Sequence, residues 1–187
     1  MSDATPLIQS PERLRDQAIA ALVPFFLDGP ASDPKAARLA AEGLLDGYNA
    51  ATPKELQLST QIVAFGWASL ACLRTAVAAK NLSIDDVLNL QDSAIALDRS
   101  SQKATKALEA RRKERAKNPQ AMTPENTRWD EGAFQRAINQ AFEKLADANA
   151  KLAAYMATLV PVETKPKLPI LRAEPMTPAV LARRALH

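Results

Sequence analysis

Few residues in this chain could do chemistry. Its one histidine is His187, the last residue, and its one cysteine is Cys72, inside an apolar run. Cysteine-based zinc sites and most hydrolase and general-base chemistry need imidazole or several thiols, so these classes are set aside. Cys72 has no histidine near it to lower its pKa, and reads as a small core residue rather than a reactive thiolate. A single cysteine forms no internal disulfide and fits a reducing compartment. Asp85 and Asp86 are adjacent carboxylates, but adjacent helical positions diverge. Their place in a first helical turn explains them through the helix dipole. The five glycines form no Walker or Rossmann loop, and there is no serine elbow or Glu-x-x-His pair. The expectation is a protein that is not an enzyme and uses no metal or cofactor.

Two groups of cations are better placed to bind something. Arg111, Arg112, Lys113, Arg115 and Lys117 gather at one stretch, and Arg128 and Trp129 follow a short linker. Guanidinium and ammonium groups pair with phosphates and an indole offers a stacking face, a mixture suited to nucleic acid. The structural alternative is that cations at a helix C-terminus offset its dipole. Trp129 would then close the chain against Leu108 or Met122. Arg74 stands alone on the most apolar segment. It would bind an anion in the core or, as buried charges generally do, pair with a carboxylate such as Asp92 or Asp98.

The elements that hold these residues are helical. Alanine and leucine dominate, aromatics are 5%, and β-branched runs are missing. Ser10-Pro11, Asp33-Pro34, Thr52-Pro53, Thr123-Pro124 and Thr177-Pro178 each put a capping oxygen before a proline, the helix-start signature. Thr52 to Glu55 and Ser83 to Asp86 have capping-box spacing or its near equivalent. The spacing predicts helices over 11–23, 34–47, 53–80, 84–117 and from 124–128 to 159. Leu14, Ala18, Leu22 and Phe25 mark the buried face of the first, and Ala37, Ala41, Leu44 and Tyr48 that of the second. Residues 62–79 are apolar nearly all round, as in a buried central helix or a membrane span. The unbroken apolar stretch stops at Arg74, short of the roughly 20 residues a span needs, so a core helix containing a buried Trp67 is expected.

Two heptad seams follow. Val87, Leu90, Ala94, Leu97, Ser101, Ala104 and Leu108 form one, and Phe134, Ile138, Ala141, Leu145, Ala148, Leu152, Tyr155 and Leu159 the other. A short polar linker between such seams predicts an antiparallel hairpin, 84–117 with 124–159, in which Leu97 faces Leu145. Ile84, Leu88 and Ile95 form a second stripe on the first half, so that end should be embedded in a head made by the three N-terminal helices. Residues 100–135 should project as an arm with a basic tip and a partly wet Trp129.

The expected organisation is an all-α fold: a flexible 1–10, a single helical domain over 11–160, and a mobile Pro-rich tail over 161–187. The tail carries apolar islands at Leu168, Ile170 and Leu171 and at Val180, Leu181 and Leu186, a short segment suited to docking on a partner or folding back. Residues 1–100 hold 8 Lys/Arg against 12 Asp/Glu, and residues 101–187 hold 16 against 9. That asymmetry is either a solvated surface or a basic face for an acidic partner. No signal-peptide pattern opens the sequence, which predicts a cytoplasmic location, with no membrane partner expected. The order of small helices, long hairpin and loose tail resembles phage small terminase subunits, which implies DNA binding and ring assembly. Two functions are therefore carried forward. One is a non-catalytic helical interaction or adaptor protein that binds a protein partner or itself. The alternative is a nucleic-acid-binding protein that uses the basic tip.

Overall fold

The computed structural model describes residues 10–27, 33–118 and 128–159. The chain divides into two units, Met1–Ala157 and Thr158–His187, and the helical bundle belongs to the first. Among the described residues all regular structure is helical: α1 (Pro11–Leu22) with a 3-10 turn (Val23–Phe26), α2 (Pro34–Tyr48), α3 (Pro53–Ala78), α4 (Ile84–Lys117) and α5 (Glu131–Leu159). The fold is all-α, as the composition implies. The tail positions Leu168, Ile170, Leu171, Val180, Leu181 and Leu186, and the Thr123 and Thr177 caps, lie outside the described residues.

Capping side chains set where the helices start. Ser10 Oγ accepts from Arg13 N–H at 3.4 Å, Asp33 Oδ1 from Lys35 N–H at 2.9 Å, and Thr52 Oγ1 from Glu55 N–H at 3.1 Å. In all three a proline follows the cap, where its missing N–H leaves no bond unmade. α2 stops at Asn49, which takes the left-handed conformation at φ 46°. Asparagine tolerates that region, so Gly47 stays helical and α2 ends one residue later than expected. α5 starts at Glu131 rather than in 124–128, because the Asp130 carboxylate caps it by accepting from Ala133 N–H at 2.9 Å.

α3 is the centre of the bundle, and side-chain bonds to neighbouring backbones fix its partners. Ser69 Oγ donates to Ala94 O at 3.0 Å and Ser101 Oγ to Ile62 O at 3.4 Å, so α4 runs antiparallel along it. Cys72 Sγ reaches Lys144 O at 3.8 Å and Thr75 Oγ1 donates to Ala148 O at 3.2 Å. Gln57 bonds both the N–H and the C=O of Asp130 at 3.1 Å. These pairs advance together, so α5 runs parallel to α3. Small α3 residues (Ala64, Ala68, Ser69, Ala71, Cys72, Thr75) let the neighbouring backbones come close, and all are buried. By length and composition α3 could cross a membrane, and 56% of its apolar window is buried inside the bundle.

The seams therefore converge on α3. Leu90, Ala94 and Leu97 of α4 and Phe134, Ile138, Ala141, Leu145 and Ala148 of α5 join one core with Leu14, Ala18, Leu22 and Phe25 of the N-terminal segment. Leu97 and Leu145 are not at one level. Ser69 ties α3 to Ala94 and Cys72 ties it to Lys144, which sets Ala94 level with Ala141, where the expected register sets it against Ala148. The shift is about two turns, or roughly 10 Å.

The expected head and arm are corrected as well. Ala104 and Leu108 of α4 pack on Leu58 and Ile62 of α3, with Tyr48 of α2 against them, so the far half of α4 lies on the bundle. Ile84, Leu88 and Ile95, expected to be embedded, are 79%, 51% and 49% exposed. On α2 it is Leu45 rather than Leu44 that enters the core.

Candidate functional site

The basic cluster at the end of α4 is divided. Arg115 turns inward: its Nε donates to Glu55 Oε1 at 3.0 Å and its second guanidinium nitrogen to Glu55 Oε2 at 3.4 Å. Glu55 is 1% exposed and also accepts from Ala51 N–H at 2.9 Å, so the capping residue of α3 is held by a cation 60 positions away. Arg112 donates to Tyr48 O at the end of α2. Arg111 lies 3.8 Å from Glu114 on its own helix. Lys113, Lys117 and Arg128 are exposed. The structure brings Arg112 and Arg115 onto the α2–α3 junction as clamps and leaves the other cations facing outward.

Trp129 is buried at 9% exposure, contrary to the expected wet ring. Its centroid lies 4.5 Å from that of Phe134, and Nε1 donates to Glu131 Oε2 at 2.8 Å. Glu131 also accepts from Gln17 of α1 at 2.8 and 2.9 Å, so the indole helps fasten the start of α5 to α1. Trp67, expected to be fully buried, is half-buried and packs its ring 4.6 Å from Phe26. An all-round apolar helix does not reveal which face receives a short turn instead of a long helix.

Arg74 is exposed rather than in the core, and so are Asp92 and Asp98. Cys72 is buried, and burial in apolar surroundings pushes its thiol pKa up, with nearby Asp147 adding to the rise. That state does not suit a nucleophile. Among the described residues no group of three or more His, Cys, Asp or Glu converges as a metal site. An open pocket of about 360 Å³ lies between the start of α1 and the α2–α3 junction. Its charged residues are Glu12 and an Arg15–Asp46 pair closed on itself at 2.5 Å. It offers no arrangement of acid, base and nucleophile.

An apolar face is the surface feature left over. Leu70, Leu73 and Val77 of α3 are 62%, 43% and 82% exposed, next to the exposed Ile84, Leu88 and Ile95 of α4. At 100° per residue, Leu70 and Val77 stand about a quarter turn from Ser69, which bonds α4, on the side away from Thr75, which bonds α5. Ile84, Leu88 and Ile95 stand about a quarter turn from Ala94 and away from Asp86, which meets α5. Both stripes thus lie on the side of the α3–α4 pair opposite α5. The Ser69–Ala94 bond sets them side by side at the end where the chain turns between the two helices. The α4 half of this face is legible in sequence as a second stripe. The α3 half is hidden, because no polar face on that helix marks what is left outside.

Comparison with protein-family models, curated proteins and solved structures found no match.

Proposed function

We propose that this chain is a non-catalytic helical interaction protein whose contact surface is the exposed α3–α4 face. One observation carries the reading: six large aliphatic side chains, 43–82% exposed, form one continuous patch on two tightly packed helices. Together they present on the order of 500 Å² of apolar surface, at the upper end of what soluble monomers leave open and characteristic of an interaction site. A rigid pair of antiparallel helices suits such a face, since little conformational freedom is lost when a partner covers it. The lone buried thiol fits action in the cytoplasm. The nucleic-acid alternative has less support, because Arg112 and Arg115 already bond Tyr48 and Glu55.

The test is capture of binding partners by tagged protein in host lysate, comparing wild type with a Leu70→Glu/Leu88→Glu variant. Both positions are exposed, so the fold should persist and capture should be lost. Undiminished capture by the double variant, with wild-type circular dichroism, would refute the reading.

A further inference from the structure

We infer that the partner of the α3–α4 face is an acidic amphipathic helix lying along the outward line of α4, with aliphatic side chains over the patch and carboxylates beyond it. The inference rests on the interaction reading above and names the partner's chemistry. Arg99, Lys103 and Lys106 follow Ile95 at spacings of four, four and three, so they continue the line of Ile84, Leu88 and Ile95. An apolar half and a basic half thus share one side of α4. Leu97, Ala104 and Leu108, which bury against the bundle, stand on the opposite side of the helix. All three cations are exposed, and none is in an ion pair among the described residues. From Ile84 to Lys106 the line is about 33 Å long, the length of a six-turn helix.

Charge and shape along this line select the partner. Asp98 stands about a quarter turn off it and accepts from Gln102 at 2.7 Å, which leaves the three cations to meet carboxylates from outside. Beyond Lys106 the line loses its sign, because Ala110 interrupts it and Glu109 and Glu114 flank Lys113. Val63 and Ser59, where the α3 stripe would continue, are buried, so past Ile95 the partner follows α4 alone. A nucleic acid has no apolar surface for Leu88 and Ile95, and would bring phosphates against the exposed Asp85 and Asp92. A lipid surface would bury those two carboxylates beside the aliphatic side chains, at the high cost of an unpaired charge. An acidic helix covers the aliphatic residues with its own and leaves Asp85 and Asp92 open to water on the flank away from α3. Its carboxylates then meet Arg99, Lys103 and Lys106, which fixes its register and speeds encounter.

Carbodiimide cross-linking of the complex that tagged protein captures from host lysate, with and without nuclease treatment, tests this, because the reagent joins amines to carboxylates in direct contact. Lys103 and Lys106 should be linked to aspartate or glutamate of one partner segment. A synthetic peptide of that segment should then bind the full chain, read by fluorescence anisotropy. Arg99→Gln/Lys103→Gln/Lys106→Gln should keep wild-type helicity, weaken the peptide roughly tenfold and flatten its salt dependence, since each exposed pair contributes modestly. Lys113→Gln/Lys117→Gln should bind it like wild type, and Leu70→Glu/Leu88→Glu should not bind it. If capture depends on Leu70 and Leu88 but no partner carboxylate is linked to Lys103 or Lys106, or the triple variant binds as wild type does, the acidic partner is overturned and the interaction reading stands. Capture lost on nuclease treatment makes the occupant a nucleic acid and overturns the inference. Wild type that captures nothing, or capture indifferent to Leu70→Glu/Leu88→Glu, overturns both.

Discussion

Replacing Arg115 by Gln should destabilise the bundle, although the residue sits at a helix end among apparently solvated cations. Its guanidinium forms a two-point contact with Glu55, whose side chain is 1% exposed. Removing one member of a fully buried ion pair costs about 3–5 kcal/mol, because the other charge is left uncompensated. Here the Arg115 side chain is 37% exposed, so solvent already screens part of the attraction, and Ala51 N–H still holds Glu55. Those two effects lower the expected cost to about 2 kcal/mol. For a chain of this size that is a fall of about 4–8 °C in Tm. Urea unfolding followed at 222 nm would measure it. A cycle with Glu55→Gln should show the two losses to be non-additive by about 1 kcal/mol, as for residues in direct contact. An Arg115→Gln variant within about 0.5 kcal/mol of wild type behaves as an ordinary surface substitution and would refute the clamp.

Trp129→Ala should cost about 3–5 kcal/mol and Trp67→Ala distinctly less, because the first ring is buried and the second half-buried; the reverse order in urea unfolding would contradict the packing. So far as Asp86, Asp130 and Lys151 set it, stability should be level between pH 3.8 and 10.5 and fall beyond both. The Ser83 hydroxyl and then Lys151 hold the Asp86 carboxyl below its ordinary 3.8, and the Ala133 N–H does so for Asp130, so their contribution is present above that value and lost as pH falls through the lower folded values. Burial pulls the Lys151 pKa down, but Asp147 and Asp86 outweigh it and hold the group above 10.5, so its contribution is intact below 10.5 and lost at higher pH. Denaturant midpoints measured across pH check both limbs, and a stability maximum in acid would contradict the signs. Replacing Arg111, Lys113, Lys117 and Arg128 by Gln should leave folding and partner binding unchanged; wild-type affinity for DNA whose salt slope flattens by roughly 0.9 per lost contact would favour the nucleic-acid reading instead.

Local chemistry was legible in the sequence and tertiary choice was not. The caps at Ser10, Asp33, Thr52 and Ser83 are where their oxygens and following residues indicate, because a cap depends on three or four neighbouring positions. The seam residues Leu90, Leu97, Phe134 and Leu145 are buried as their spacing requires. Spacing identifies a buried face without naming what covers it, and α3, with small residues on several sides, accepted both seams. The Glu55–Arg115 contact joins positions 60 apart and leaves no local mark beyond a glutamate at a capping position. The α3 half of the exposed face escaped for the same reason. Leu70 and Val77 look like core on an all-apolar helix until the positions of α4 and α5 are known.

The most direct measurement is thiol labelling of the face with and without bound partner. In a Cys72→Ser background, single cysteines at Val77, Ile84 and the control position Met156 are reacted with maleimide on the purified protein and on the protein carrying the partner it captures from host lysate. All three native side chains are exposed in the single chain, at 82%, 79% and 52%. If the α3–α4 face is the contact surface, the Val77→Cys and Ile84→Cys variants should react several-fold more slowly in the complex, while Met156→Cys keeps its rate. Equal rates at all three sites in both states would show the face to be open in the complex and contradict the reading.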